Sequence, residues 1–330
     1  MDSMKAITAS HAGGPEVMTL TDAPEPTCPA DKVRVRVEAA GVNFIDTYRR
    51  SGVYKVDFPM IPGSEGAGTV IEAGTDVTWA KEGDRVSWTS TPASYAEQVI
   101  LGLDDCYSVP DAVASDIAAA SMLQGLTAHY LGASSFALNT GHTALVHAGA
   151  GGVGLLLTQM AVARGARVIT TASTEEKARL SRGAGADAVI RYDQFDDLTK
   201  ELPQAVRDLT DGRGVDVVYD GVGKTTFDAS LASLAVRGTM VLFGGASGQV
   251  PPFDLQRLNA SGSLSITRPS LGHFLSTAEE RAWRSGELFG AIAGGTLDVR
   301  IGARFPLRDA ADAHRALEGR LTTGKVLLVP

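Results

Sequence analysis

The sequence predicts an α/β protein that joins a doubly wound parallel sheet to a mostly β domain with the form of a partial barrel. Its 330 residues correspond to two domains at about 150 residues each. From residue 143 onward, continuously apolar strand candidates alternate with helical patterns, which is typical of a parallel sheet covered on both faces. Before residue 110, short segments alternate apolar and polar residues with period two and predict half-buried strands.

Turns separate the short strands of the N-terminal part. Strands are predicted there at 33–37, 68–73, 84–88 and 95–101. Beyond them, Ser115 is expected to cap a helix whose apolar residues recur at helical spacing as far as Tyr130.

The following part alternates regularly between strand and helix. Strands are predicted at 143–148, 166–172, 188–190, 215–220 and 239–244. Helices are predicted between them at 153–164, 174–182, 196–210 and 225–235. The last 60 residues predict helices at 276–293 and 308–317 and a strand at 325–329, and we expect this tail to return to the first domain.

Composition excludes several classes of protein. Apolar residues make up 44% of the chain and charged residues 21%, which is ordinary for a globular protein. The net charge of −8 argues against nucleic-acid binding through bulk electrostatics. Cys28 and Cys106 are the two cysteines, so a disulfide framework and an all-cysteine zinc cluster are both excluded. No uncharged apolar segment approaches the roughly 18 residues of a membrane span, and we expect a soluble, cytoplasmic protein.

A glycine-rich segment at 149–154 is the strongest functional signal. It matches G-x-G-x-x-G through Gly149, Gly151 and Gly154, with Ala150, Gly152 and Val153 between them. The segment follows an apolar strand and opens a helix, which is the context needed for a tight turn whose amides face a pyrophosphate. A βα turn without a ligand is the alternative, but the regular alternation around it favours a dinucleotide site.

The end of the second strand of this sheet predicts which dinucleotide binds. An acidic residue is expected there if the site holds an unmodified ribose, but the chain has Ser173 and Thr174, followed by Lys177. Hydroxyl groups and an ammonium suit a 2′-phosphate, so NADP is favoured. Two alternatives stay open: Ser173 and Glu176 fit a capping box, and Glu175 or Glu176 could contact a ribose.

The order of a β domain, the glycine-rich turn and a returning tail resembles the medium-chain dehydrogenase/reductase superfamily. Within it, the segment 41–54 (GVNFIDTYRRSGVY) is similar to a signature of the zinc-free quinone oxidoreductases, the zeta-crystallin-like branch. Further matches lie at 124–130, 218–223 and 267–271. The resemblance implies a Rossmann NADP-binding domain at 128–267 and a GroES-like catalytic domain at 1–127 and 268–330. It also implies an NADPH:quinone reductase that is a homodimer, with 239–244 and 263–267 as the expected contact.

The same resemblance predicts an enzyme without zinc. Zinc alcohol dehydrogenases of the superfamily have a cysteine in the first motif and a histidine in a Gly-His-Glu motif, whereas this chain has Asn43 and Ser64. A quinone is already a strong hydride acceptor, so positioning and hydrogen-bond donors replace a Lewis acid. Asn43 and Tyr54 are the expected donors, with Asp46 as a further candidate. The alternatives are that Asn43 caps a helix, Tyr54 packs in a turn and Asp46 is a structural acceptor.

Other cofactor contacts are implied by the resemblance alone. They are Phe44, Tyr48, Thr127, Tyr130, Tyr192, Gly221, Phe243, Gly244, Gly245, Ala246, Ser247, Arg268 and Arg320. Gly221 departs from relatives that carry serine, and the segment 323–325 also differs from related sequences.

Two other functions remain open from the sequence. The first is NADPH-dependent reduction of a carbon–carbon double bond in an enone or enoyl thioester, for which Tyr54 is a candidate proton donor. The second is a nucleotide-gated RNA-binding or structural, crystallin-like protein. The acidic balance of the chain and its lack of an arginine-rich tract argue against a nucleic-acid partner.

Overall fold

A computed structural model describes residues 3–330 and divides the chain into two compact units. The first unit comprises the chain up to Gln124 together with Ser285–Pro330, and the second comprises Gly125–Arg284. The segment 268–284, which the sequence assigned to the first domain, falls in the second unit. Its aromatic and cationic side chains explain this placement, because Phe274 stacks on Tyr130 and Arg284 contacts His129.

The strands and helices are numbered in chain order. The strands are β1 (Ser3–Ala9), β2 (Met18–Pro24), β3 (Val33–Val42), β4 (Glu65–Ala73), β5 (Arg85–Thr89), β6 (Gln98–Leu101), β7 (Cys106–Ser108), β8 (Thr143–Val146), β9 (Arg167–Ala172), β10 (Ala188–Arg191), β11 (Val215–Asp220), β12 (Leu234–Leu242), β13 (Ser265–Thr267), β14 (Ile301–Pro306) and β15 (Lys325–Val329). The helices are α1 (Phe44–Arg50), α2 (Ser115–Tyr130), α3 (Gly152–Ala163), α4 (Glu175–Gly183), α5 (Leu198–Asp208), α6 (Phe227–Ala232), α7 (Gln256–Ala260), α8 (Ala278–Ala293) and α9 (Ala310–Glu318).

The first unit is built on a mixed sheet in the order β14-β15-β3-β4-β5-β7, with β6 also paired to β3. The period-two pattern of β3 is realised in its burial: Val33, Val35 and Val37 face the core. The C-terminal strand β15 pairs antiparallel with β3, so the end of the chain completes the sheet of the N-terminal part.

The second unit contains a six-stranded sheet in the order β10-β9-β8-β11-β12-β13, and every neighbouring pair is parallel. This is the strand order of a doubly wound dinucleotide-binding fold, in which the order of the strands reverses between β8 and β11 while all strands stay parallel. The predicted combination of a doubly wound parallel sheet with a mostly β domain is confirmed.

Most predicted elements differ from the observed ones only at their ends. The largest difference is at β12, which begins at Leu234 rather than at 239, so that α6 ends at Ala232 instead of 235. Leu234 and Ala235 are buried, and Arg237 takes a left-handed conformation that interrupts the regular strand. Within residues 3–330, no helix combines the length and the apolar character needed to cross a membrane.

Candidate active site

The predicted cofactor segments of the second unit follow the carboxyl ends of its parallel strands. The 149–154 turn follows β8, Ser173 follows β9 and Tyr192 follows β10. Gly221 follows β11, and the 243–247 segment follows β12. Because the strands are parallel, all of these ends lie along one edge of the sheet, where open α/β sheets bind their ligands.

The glycine-rich turn joins β8 to α3 with little space to spare. Gly151 is the N-cap of α3, and Ala148 opens the turn in a left-handed conformation with φ of +52°. A Cβ at Gly154 would lie 2.3 Å from the carbonyl oxygen of Ala148, and one at Gly149 would lie 2.6 Å from the Cβ of Thr170. Both glycines are therefore required by packing, and they bring the start of α3 close against the strand end.

The 2′-phosphate candidates lie together at the end of β9. The Nζ of Lys177 is 3.5 Å from the hydroxyl of Ser173. Thr174, not Ser173, is the N-cap of α4, since its hydroxyl accepts a hydrogen bond from the backbone N–H of Lys177. The capping-box alternative for Ser173 is therefore wrong, because the helix begins one residue later than it requires. Thr174 is occupied as a cap, whereas Ser173 and Lys177 form a hydroxyl–ammonium pair.

Sequence reasoning missed a second cation at this edge. Arg191 is the last residue of β10, and its register partner on β9 is Ala172, the residue before Ser173. Its guanidinium pairs with Asp193 at 2.7 Å and with Glu175 at 3.0 Å. Glu175 is thus paired with an arginine from the neighbouring strand. The alternative that Glu175 or Glu176 contacts a ribose stays a prediction. The following residue, Tyr192, is half-buried.

The loops after β11 and β12 are tied to each other. The Oγ of Ser247 accepts from the backbone N–H of Thr225 and donates to the carbonyl of Val222. A Cβ at Gly221 would lie 2.8 Å from the ring of Phe243. A serine at 221 would therefore displace this ring, which gives a physical reason for the departure from relatives. The residues between Phe243 and Ser247, at 244–246, are half-buried along the loop after β12.

The remaining cofactor candidates of the second unit lie on α2 and after β13. Thr127 and Tyr130 are buried on α2, and the ring of Tyr130 stacks on Phe274 with centroids 4.5 Å apart. Burial raises the pKa of Tyr130, and the positive charge of Arg268 acts in the opposite direction. Arg268 is exposed directly after β13. Arg320 belongs to the first unit, where it follows α9 in a left-handed conformation.

In the first unit, Asn43 is held in a fully buried polar network. Its Nδ2 donates to Glu65 at 2.9 Å, and its Oδ1 accepts from the Nζ of Lys325 at 2.8 Å. Lys325 also forms a 2.7 Å ion pair with Glu65. A Cβ at Gly41 would lie 2.5 Å from the Glu65 carboxylate, so the glycine of the predicted signature leaves space for this group. The ammonium on one side and the carboxylate on the other fix the orientation of the Asn43 amide.

Burial and pairing oppose each other in this network. Burial raises the pKa of Glu65 and lowers the pKa of Lys325, while their mutual attraction acts against both shifts. Neither Glu65 nor Lys325 was singled out from the sequence as an active-site residue. Glu65 stood beside the motif position 64, but nothing local marks Lys325, whose distance along the chain from Asn43 is 282 residues.

Asp46 is a buried acceptor of several hydrogen bonds. It accepts from the backbone N–H of Asn43, from the hydroxyl of Ser64 at 2.5 Å and from the hydroxyl of Tyr95 at 3.2 Å. Burial raises the pKa of Asp46, although these hydrogen bonds favour its charged form. The structure therefore agrees with the alternative that Asp46 is a structural acceptor. It also agrees with the alternative that Asn43 caps a helix, because Asn43 occupies the N-cap position of α1.

Tyr54 follows α1 and forms an aromatic group with two residues of that helix. Its ring meets Tyr48 edge-on with centroids 5.5 Å apart, and Tyr48 in turn lies 6.2 Å from Phe44. The side chain of Tyr54 is 38% exposed, so its ring is supported by a neighbour while the side chain stays accessible. This arrangement brings together three candidates that the sequence placed on one short segment.

The donor set of the first unit does not suit a zinc ion. A catalytic zinc needs about three nitrogen, sulfur or carboxylate ligands. In residues 3–330 no three histidine, cysteine, aspartate or glutamate side chains are grouped so as to hold a metal. At the motif positions, Asn43 offers an amide, Ser64 is bonded to Asp46, and Glu65 is paired with the Lys325 ammonium.

Comparison with known proteins follows the two units. The model of the alcohol dehydrogenase GroES-like domain matches residues 29–131, and that of the zinc-binding dehydrogenase domain matches 152–285. A quinone oxidoreductase of Pseudomonas aeruginosa is 44% identical over 331 residues, covering 99% of each chain. The chain belongs to the quinone oxidoreductase family. This family is a branch of the medium-chain dehydrogenase/reductase superfamily, and the predicted resemblance is confirmed.

Solved structures and a further relative extend the family comparison. Escherichia coli quinone oxidoreductase in complex with NADPH has a TM-score of 0.95 and 40% identity, with 99% of this chain and 100% of that chain covered. A mycobacterial protein in complex with NADPH has a TM-score of 0.95 and 52% identity at the same coverage. A 2-haloacrylate reductase of a Burkholderia species is 38% identical over 96% of each chain.

Proposed function

We propose that this member of the quinone oxidoreductase family is an NADPH:quinone oxidoreductase that works without a metal. The observation that carries the proposal is similarity along the whole chain to quinone oxidoreductases, one of which was solved with NADPH. The sequence alone led to the same enzyme class. The roles of individual residues are part of the proposal and are supported by their positions in the structure.

The second unit supplies the cofactor site along its sheet edge. The 149–154 turn and the N-terminus of α3 offer backbone N–H groups to the pyrophosphate. Ser173 and Lys177 are proposed to hold the 2′-phosphate, with Arg191 available from the adjacent strand. The loops after β11 and β12 line the same edge on the other side of the strand-order reversal.

The first unit supplies hydrogen-bond donors for the substrate. When bound, NADPH supplies a hydride, and a proton from solvent completes the reduction of a quinone to a hydroquinone. Asn43 and Tyr54 are proposed to donate to the quinone oxygens, where negative charge develops. Lys325 and Glu65 fix the orientation of the Asn43 amide, and one of its two N–H groups is taken by Glu65. The second N–H, which has only a long contact of 3.5 Å to the Gly41 carbonyl, is the one proposed to donate to the substrate. The part of Asp46 is to hold the start of α1 through the Asn43 backbone.

Metal independence is part of the proposal and is supported by the donor set. Alcohol oxidation benefits from a Lewis acid that stabilises an alkoxide, whereas a quinone gains aromaticity on reduction and needs less assistance. The positions where zinc relatives carry ligands hold an amide bonded to an ammonium and a hydroxyl bonded to a carboxylate. Both side chains are therefore engaged in hydrogen bonds within the protein.

A second function is favoured by one relative. The 2-haloacrylate reductase that is 38% identical is named for a substrate with a carbon–carbon double bond next to a carboxylate. A reductase of conjugated double bonds would use the same cofactor edge but would need a proton donor for the second carbon, for which Tyr54 is the candidate. No observation in the structure favours the RNA-binding or crystallin-like alternative.

The deciding experiment is oxidation of NADPH followed by its absorbance, with 1,4-benzoquinone and an alkyl enone in parallel, after treatment with a chelator. We expect rapid oxidation with the quinone, slower oxidation with NADH in place of NADPH, and no loss of rate after chelation. Turnover with the enone alone would replace the proposed function by the second one. Loss of activity on chelation, restored by zinc, would contradict metal independence.

The oligomeric state and the location of the protein remain predictions. A homodimer through the edge of the sheet near 239–244 and 263–267 is proposed, and β13 (Ser265–Thr267) is the last strand of the sheet order at that side. Light scattering that gave the mass of one chain would contradict it. The cytoplasmic location expected from the sequence is tested by fractionation of cells, in which the protein should appear in the cytoplasmic fraction.

A further inference from the structure

His147 lies at the point of the second unit where the strand order reverses. It directly follows β8, between the ends of β9 on one side and β11 on the other. Its Nδ1 is 3.2 Å from the hydroxyl of Thr171 on β9, and its Nε2 is 2.9 Å from the hydroxyl of Ser230 on α6. The ring is 3% exposed, so protein groups account for both nitrogens.

The hydrogen bonds of this group have one consistent direction. Ser230 donates its hydroxyl proton to the carboxylate of Asp220 at 2.7 Å, so its oxygen accepts from the Nε2–H of His147. At the other nitrogen, Thr171 accepts from the backbone N–H of Ala148 at 3.2 Å and donates to Nδ1. In this series of hydrogen bonds, which runs from the N–H of Ala148 to the carboxylate of Asp220, every donor therefore has an acceptor when His147 is neutral with its proton on Nε2.

The two ends of this hydrogen-bond series hold the two loops of the proposed cofactor edge. At one end Ala148 opens the glycine-rich turn in a left-handed conformation, which L side chains rarely adopt, and Thr171 anchors its N–H. At the other end Asp220 accepts from the backbone N–H groups of Val222 and Gly223, at 2.8 and 2.9 Å. The conformation of both loops thus depends on Thr171 and Asp220, which the imidazole links directly in the first case and through Ser230 in the second.

We propose that His147 is a positioning residue for NADPH, which as a neutral imidazole couples the glycine-rich turn after β8 to the loop after β11. It does not touch the cofactor; it sets the turn that presents the pyrophosphate-binding amides and the loop on the other side of the strand-order reversal. The inference rests on the proposed cofactor and deepens that part of the function.

The surroundings of the ring keep it neutral. The strand β9 and the helix α6 contribute the hydroxyls of Thr171 and Ser230, and β11 contributes the carboxylate of Asp220. Burial lowers the pKa of His147, and the negative charge of Asp220 opposes this shift. Protonation at acid pH would turn Nδ1 from an acceptor into a donor and would break the bond from Thr171.

The test measures the Kd of the protein for NADPH by NADPH fluorescence. His147→Leu fills the space but removes both hydrogen bonds, and we expect the Kd to rise at least tenfold. The matched control is His142→Leu, because His142 immediately precedes β8 at the opposite end of the same strand. We expect this control to stay within twofold of the unmodified protein.

Two partial variants keep the test decisive if the leucine variant does not fold. His147→Asn retains an acceptor towards Thr171, and His147→Gln retains a donor towards Ser230. Each is expected to give a Kd between those of the unmodified protein and His147→Leu. Folded variants that all bind NADPH with the unmodified Kd would overturn the inference. Failure of the unmodified protein to bind NADPH would instead contradict the proposed function.

A rescue separates positioning from general stability. Ala148→Gly makes the left-handed conformation freely available, so it should restore part of the NADPH affinity in the His147→Leu background. In the unmodified protein the same substitution should change the Kd much less. Equal effects of Ala148→Gly in both backgrounds would show that His147 does not act on the turn.

Discussion

Lys325 is a buried charged residue of the first unit whose ion pair affects the stability of the protein. Its ammonium is 1% exposed and is paired with a carboxylate that is fully buried. A buried ion pair contributes little more to the free energy of unfolding than an apolar pair in the same place. Removal of one partner, however, leaves an uncompensated buried charge. The structural importance of Lys325 is therefore best measured by separating these two effects.

The single substitution Lys325→Met is expected to lower the free energy of unfolding by about 3–5 kcal/mol, because Glu65 is left buried without a counter-ion. The double variant Lys325→Met/Glu65→Gln should recover most of this loss. Urea unfolding measures both values. The control is Lys5→Met, whose exposed pair with Asp22 should contribute less than about 1 kcal/mol. A double variant no more stable than the single one would disprove the charge argument.

A second residue-scale prediction concerns Lys177. Lys177→Met should raise the KM for NADPH roughly ten- to hundredfold, as expected for the loss of a charged hydrogen bond, and should leave the KM for NADH unchanged. Steady-state kinetics with both cofactors measure the effect. Lys200→Met is the control, because Lys200 is an exposed lysine of the same unit that pairs with Asp197. An equal rise for NADH would mean that Lys177 does not recognise the 2′-phosphate.

Residues that act within a short segment were predictable, and residues that meet through the fold were not. The 149–154 turn and the Ser173–Lys177 pair are local patterns, and the structure places both at the sheet edge. Arg191 reaches this edge through strand pairing, and Lys325 reaches Asn43 through the return of the chain. No periodicity or spacing encodes these two meetings.

At the scale of elements, two glycines in the helices α3 and α4, which pack against the parallel sheet, differ in whether there is space for a side chain. Gly154 lies in the first turn of α3, where a Cβ would meet the Ala148 carbonyl oxygen at 2.3 Å. Gly183 is the last residue of α4, and a Cβ there would meet nothing within 4 Å. One glycine is imposed by the approach of helix to strand, whereas the other is only a poor helix former.

Gly154→Ala should therefore destabilise the protein by about 1–3 kcal/mol through overpacking and should also raise the KM for NADPH. Gly183→Ala serves as the matched control and should stabilise α4 by up to about 1 kcal/mol, since alanine is the better helix former. Thermal unfolding and cofactor kinetics measure the two effects. A harmless Gly154→Ala would show that α3 can move away from the strand end.

The ends of elements were predicted less well than their existence. The strand 215–220 has the predicted bounds, and α2 ends at the predicted Tyr130, because each has a clear apolar pattern. Ser115, which was expected to cap α2, is instead its first helical residue. The start of β12 was placed five residues too late, since Leu234 and Ala235 continue the apolar pattern of α6 although they belong to the strand. The left-handed Arg237 interrupts this strand and carries no signal in the sequence.

At the scale of the whole molecule, buried titratable groups give stability a dependence on pH. Burial, assisted by the positive charge of Arg50, lowers the pKa of His314 to about 3. The ring bridges Arg50 and Tyr95 within the first unit. In the unfolded chain this histidine has a pKa of about 6.5, so the unfolded state binds more protons between these two values. The contribution of His314 is therefore complete above pH 6.5 and is lost as the pH falls towards 3.

Buried carboxylates act in the opposite direction, so the test compares variants and not the unmodified protein alone. Between pH 7.5 and pH 5, the stability advantage of the unmodified protein over His314→Gln should shrink by about 2 kcal/mol. Urea unfolding at the two pH values measures this difference. His11→Gln is the control, because His11 is exposed near the N-terminus. An advantage that does not depend on pH would mean that His314 is not held neutral.

The buried ammonium of Lys325 also limits how the protein can be redesigned. Asn43→Cys and Ser64→His would copy the two motif ligands of zinc relatives, but a dication there would face the fixed positive charge that now contacts position 43. The ammonium would therefore compete with a metal for the new thiolate. Conversion to a metalloenzyme therefore needs a third, simultaneous change at the far end of the chain. A search that alters one position at a time would find no improving intermediate on this path.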